Sequence, residues 1–203
     1  VDLWISDQAS AEATYGHISE WDVSNVTDMS SLFSDWNSSA FSDFNGNLSS
    51  WDVSSVTDMS DMFSGATSFN GDLSSWDVSN VMDMPFMFHT AESFNSDLSS
   101  WDVSSMTNMF AMFTSSSFNG DISSWDVSSV TYMGWMFKSA NSFNGDLSSW
   151  DVSSVTGMSE MFNGASNFNG NLSSWDVSSV TNMENMFDEA PALSEENQCA
   201  IHT

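Results

Sequence analysis

The sequence predicts an α/β repeat solenoid: seven coils of about 25 residues, a parallel strand sheet on one face, short helices on the other, and a cap at each end. Three observations carry this. Tryptophans followed by aspartate recur at positions 21, 51, 76, 101, 125, 150 and 175. Within a coil, Trp76 and Val78 are two apart, the spacing of one face of a strand. Further along, Met84, Met87, Phe88 and Ala91 fall at i, i+3, i+4 and i+7, the stripe of a short amphipathic helix.

The elements follow in order. Residues 1–17 read as a helical N-terminal cap, 18–190 as the seven coils, and 191–203 as the start of a C-terminal cap with Ser194 as its N-cap; the pattern implies truncation at both ends. Threonines 27, 57, 107, 131, 156 and 181 stand where the helical stripes begin, and Thr181 with Glu184 spells a capping box. Gly65 and Gly164 fall where a helix should stop, and the Phe-Asn pairs at Asn45, Asn70, Asn119, Asn144 and Asn169 signal the return to the next strand. The two irregular periods lie between Phe-rich and Trp-rich segments, where a surface loop absorbs a change of length.

Composition removes several function classes. The chain carries 28 acidic residues against one lysine, Lys138, for a net charge of −27. Without a cationic patch, nucleic acid and anionic membrane surfaces are poor partners. The one cysteine, Cys199, excludes an internal disulfide framework, and no apolar run reaches the roughly 18 residues of a membrane span. No nucleophile elbow, zinc-protease, phosphate-loop or dinucleotide motif occurs, and identical aspartate environments offer no split between acid and base. An enzyme is therefore not expected.

The repeat WDVSxVTxMxxMFxxAxxFNxDLSSWDVS resembles that of the BspA-like leucine-rich-repeat surface proteins of microbes, across residues 18–190. "YGHISEWDVSNVTDMSSLF" is similar to the opening coil of their marine and algal members, and "LSEENQCAIHT" to the start of their closing segment. The resemblance implies a leucine-rich-repeat-like fold and a secreted or surface-attached protein engaged in adhesion or protein–protein contact. It implies no catalytic residues.

With Trp and Val of each Trp-Asp-Val-Ser inward, the aspartates form an outward column: Asp22, Asp52, Asp77, Asp102, Asp126, Asp151 and Asp176. Neighbours about 5 Å apart repel by roughly 0.9 kcal/mol in water, so something must relieve the column. Three devices would do so: hydrogen bonds from amides and serine hydroxyls, weak Ca²⁺ or Mg²⁺ binding with no obligate cofactor, or raised pKa values and shared protons. A second column, Asp72, Asp97, Asp121 and Asp146 with Asn47 and Asn171, should cap backbone.

Departures from the repeat are the better functional signal. Coil 3 carries Met82, Pro85 and Phe86, coil 4 Phe110, and coil 5 Tyr132 and Trp135, where other coils are polar or small. These should stack into an apolar patch rimmed by His89 and Lys138, and such patches mark partner sites. Asn25, Asn37, Asn47 and Asn171 begin glycosylation sequons. The expectation is an extracellular or cell-surface module, with a lumenal compartment as alternative. It would bind other proteins or a cell-surface component, or build a larger assembly, without inserting into a membrane.

Overall fold

The computed structural model describes residues 1–34 and 41–199. Helix α1 (Asp2–Ser6) and helix α2 (Gln8–Tyr15) precede a 3-10 turn at Ile18–Glu20. Asp7 caps α2 by accepting the Ser10 amide, and Gly16 ends it in the left-handed region at φ 75°. Trp4 is buried edge-on against His17 and Trp21, which seats α1 on the first coil. At the other end, Ser194 accepts the Asn197 amide at the start of helix α3 (Glu195–Cys199).

Between these ends the α/β expectation fails. The described residues from Trp21 to Leu193 contain no helix, and the strand sheet is absent. What joins the coils there is a column of isolated parallel bridges: Asp28 to Asp58, then Asp83, Asn108, Tyr132, Gly157 and Asn182. Each coil is a chain of tight turns stacked on the next.

The predicted helical stripe shows why. In coil 2 the amides of Met62, Ser64 and Ala66 bond back three residues, to Met59, Asp61 and Phe63. The alternate amides, of Met59, Asp61, Phe63 and Gly65, donate to Asp83, Pro85, Met87 and His89 of coil 3 at 2.8–3.0 Å. A helix sends every amide along its own axis. Here half are turned along the stack, by a left-handed residue in each turn: Ser31, Asp61, Phe86, Ala111, Trp135, Glu160 and Asn185 have φ between 52° and 61°.

Spacing makes the same point. Equivalent phenylalanines of consecutive coils (33, 63, 88, 113, 137, 162, 187) lie 5.4–5.9 Å apart. Packed helices need roughly 8–10 Å, so one helix per coil cannot fit. The i, i+3, i+4 stripe is a turn stripe that also faces the core. Nor do the threonines cap helices: Thr57, Thr131, Thr156 and Thr181 donate their hydroxyls to the preceding coil's carbonyl. The Glu184 amide donates to Asn182 Oδ1, and Glu184 forms no box with Thr181 among the described residues. Gly65 and Gly164 do adopt the left-handed region, at 79° and 71°, closing turns rather than helices.

The Trp-Asp-Val run keeps its alternation without becoming a strand. Trp76 and Val78 are buried and Asp77 exposed, as in the neighbouring coils. Turns at Leu73–Trp76 and Val78–Val81 bracket the run too closely for a ladder. Side chains bond between coils instead. Trp76, Trp101, Trp125, Trp150 and Trp175 donate their indole N–H to Leu48, Leu73, Leu98, Ile122 and Leu147 at 3.0–3.1 Å. Asparagines repeat the device: the amide of Asn95 is accepted by Asn70 Oδ1, that of Asn119 by Asn95, and that of Asn144 by Asn119, each at 2.8 Å. Inside, Phe63 pairs with Phe69, Phe88 with Phe94 and Phe137 with Phe143 as stacked rings 3.9–4.0 Å apart.

Candidate partner-binding strip

The coil stack brings the aromatic substitutions of coils 3–5 into one strip. Phe86 and Phe110 meet edge-on at 5.1 Å. Phe110 then stacks on Tyr132 at 5.3 Å and leans on Trp135 at 5.4 Å. His89 lies edge-on to Phe86 at 5.7 Å and meets Ser64 Oγ at 3.4 Å. Burial holds its imidazole below the ordinary pKa, favouring the neutral ring. Pro85 shares the column of Phe110 and Gly134, and its carbonyl accepts the Asp61 amide. Met82 sits in the threonine column, 48% exposed, outside the chain of ring contacts. Tyr132 is 37% exposed; Phe86, Phe110 and Trp135 are half-buried. The rings thus pack on one another and still present a surface.

Local backbone makes the choice of residues informative. Phe86 and Trp135 occupy the left-handed position, at φ 59° and 61°. A bulky side chain there costs on the order of 1–2 kcal/mol, whereas short polar residues such as Asp and Asn tolerate it better. Coils 1, 2 and 7 accordingly carry Ser31, Asp61 and Asn185. Two rings against local preference, one coil apart from Ala111 on either side, are a departure with no core to fill. Their amides are nevertheless locked: Phe86 to Phe110, Ala111 to Gly134 and Trp135 to Ser159, all at 2.9 Å. Thr114 adds a hydroxyl bond to the Trp135 carbonyl at 2.6 Å.

Lys138 closes the strip. Its ammonium lies 4.1 Å from the centre of the Trp135 ring and 2.5 Å from Glu160 Oε2. Both groups are about a quarter exposed, so this combines a cation–π contact with a partly desolvated ion pair. Four residues outside the predicted set pack into the strip. Glu160 holds the lysine, Ala111 is buried between the flanking rings, and Gly134 and Gly157 form the floor beneath Tyr132. The signal was present in coil 6: a glycine where other coils have Asp, Asn or Tyr, and an acid one coil away from the only lysine.

The aspartate column is local hydrogen bonding. Oδ1 of Asp22, Asp52, Asp77, Asp102, Asp126, Asp151 and Asp176 accepts the amide two residues on, from Ser24, Ser54, Ser79, Ser104, Ser128, Ser153 and Ser178, at 3.0–3.1 Å. The serine hydroxyl and then the amide hold the carboxyls of Asp22, Asp52, Asp102, Asp151 and Asp176 below the usual carboxylate range. Hydrogen bonds thus favour the charged form of these five carboxyls. Among the described residues no group of three His, Cys, Asp or Glu side chains is placed to hold a metal. The second column does the same work: Asp72, Asp97, Asp121 and Asp146 each accept from the serine two on, and Asn47 and Asn171 do so at 3.0 Å without charge. Asn25, Asn47 and Asn171 are exposed; Asn37 lies outside the described residues.

No curated protein matches this chain. A family model does, twice in tandem, over residues 5–117 and 106–199, so that the whole strip and nearly all of the coil stack fall within it. Its description is Mycoplasma protein of unknown function, DUF285. The chain belongs to that family.

Proposed function

We propose that this protein is a non-enzymatic interaction or adhesion module of a secreted or surface protein, binding a protein or cell-surface component through the strip of coils 3–5. The observation that carries the reading is the placement of Phe86 and Trp135 in left-handed backbone beside exposed Tyr132, on a surface rich in Ser, Asp and Asn. Aromatic anchors held rigid by their neighbours lose little freedom on binding and are the residue type that dominates interface energies. Membership of a repeat family supports the reading too, since such stacks offer long surfaces whose variable positions select the partner.

The test is binding of labelled protein to intact cell surfaces. Trp135→Ser with Phe86→Ser should weaken binding at least tenfold while the melting temperature stays level or rises. Undiminished binding would remove the strip from the function. A second reading, an architectural subunit of a larger extracellular or lumenal assembly bridged by cations, is favoured by the seven exposed aspartates repeated coil by coil.

A further inference from the structure

We propose that the strip takes a basic segment of a partner protein, an arginine or lysine of that segment occupying the place of Lys138 against Trp135 and Glu160. This rests on the strip being a partner surface, and names what that partner must carry.

The chain's own lysine displays the chemistry. Lys138 places its ammonium over the Trp135 ring and on the Glu160 carboxylate. An aromatic face backed by a carboxylate selects a cation over a neutral group, more so when water is partly excluded. The surroundings repeat the preference. Several of the columns that carry the strip also hold carboxylates: Asp61 and Glu160 flank Phe86 and Trp135, Asp58 and Asp83 share the column of Tyr132, and Glu184 and Asp188 lie in coil 7 in those of Phe110 and Lys138. Among the described residues Lys138 to Glu160 is the one ion pair, so the field of the others is uncompensated. Burial raises the pKa of Asp61, a further sign of a desolvated carboxylate. An acidic partner would meet like charge at both ends of the strip. A basic one is steered to it and neutralises it, while its apolar side chains lie along Phe110 and Tyr132.

Two short synthetic peptides test this: one with arginines flanking Leu-Tyr-Leu, and its twin with glutamines in their place. Titrated into the folded protein, the arginine peptide should bind at least tenfold more tightly than its twin. Glu160→Gln and Trp135→Ser should each weaken it about tenfold, and Lys138→Ala should strengthen it several-fold by vacating the seat. Asp126→Asn, in the Trp-Asp-Val column, should leave it unchanged. Equal binding of the arginine peptide to all four variants would mean diffuse attraction to the net charge and would overturn the inference. So would equal affinity for both peptides with loss in Trp135→Ser, although that result would leave the strip as a docking surface. No binding of either peptide would overturn it too, with the cell-surface assay still deciding the broader reading.

Discussion

Gly157 stands in the bridge column that Asp, Asn or Tyr fills in every other coil. A β-carbon there would lie 2.2 Å from Tyr132 Cε2, far inside any real contact, so the glycine is what lets the tyrosine lie down across coil 6. Gly157→Ala should therefore destabilise the protein by about 1–3 kcal/mol, the usual cost of forcing extra volume into a packed site. Adding Tyr132→Asn, which restores the residue type of coil 4, should recover most of that loss. Thermal melting of the two single variants and the double gives the coupling; simple additivity would show that Tyr132 does not depend on the glycine. The pairing was readable only in hindsight, because a tyrosine and a glycine 25 residues apart acquire meaning once the bridge column is known.

The turn closed by an aspartate and the serine two residues on is the unit from which the stack is built. Asn47 and Asn171 make the same bond as Asp72 and its equivalents, at the same length, with no charge. Asp102→Asn should accordingly preserve its turn and, by removing one repelling charge, hold or raise the melting temperature at neutral pH and low salt. Asp102→Ala should lower it, since the Ser104 amide loses its acceptor. The pH dependence has a definite sign. These carboxyls have folded pKa values below the ordinary 3.8, so the stability they contribute is present above that value and is lost as the pH falls through the folded one. Melting curves recorded from pH 5 downward should show the loss beginning below about pH 4, and Ser104→Ala should make it shallower. A loss that begins near pH 6 would point to another group.

At the scale of the whole molecule, charge and stacking oppose each other. A net charge of −27 on a chain with one lysine repels itself at every coil, while buried Trp, Val, Met and Phe columns hold the coils together. Raising NaCl should raise the melting temperature by screening, over the range where the Debye length falls below the spacing between columns. Millimolar Ca²⁺ should exceed an equal ionic strength of Na⁺ if the aspartate face binds cations. Identical effects of the two salts would reduce the column to hydrogen-bonded turns. As each coil contacts only its neighbours, both effects should be spread along the stack rather than centred on one place.

The sequence by itself determined the period, the inward and outward columns, the turn signals, and the three consecutive coils whose aromatic substitutions would lie side by side. All of these follow from side-chain chemistry repeated in register. It misread the elements between the columns, because an apolar i, i+3, i+4 stripe is shared by a helix and by a run of three-residue turns with the same inward face. Only the tertiary structure could choose, through the distance between coils. At 5.4–5.9 Å between equivalent rings there is no width for a helix, so alternate amides turn along the stack and bond the next coil. The same spacing seats Lys138 on Glu160 and Trp135, and Tyr132 on Gly157. Those contacts join neighbouring coils, so their traces in the sequence of coil 6 acquire meaning only through the stacking register.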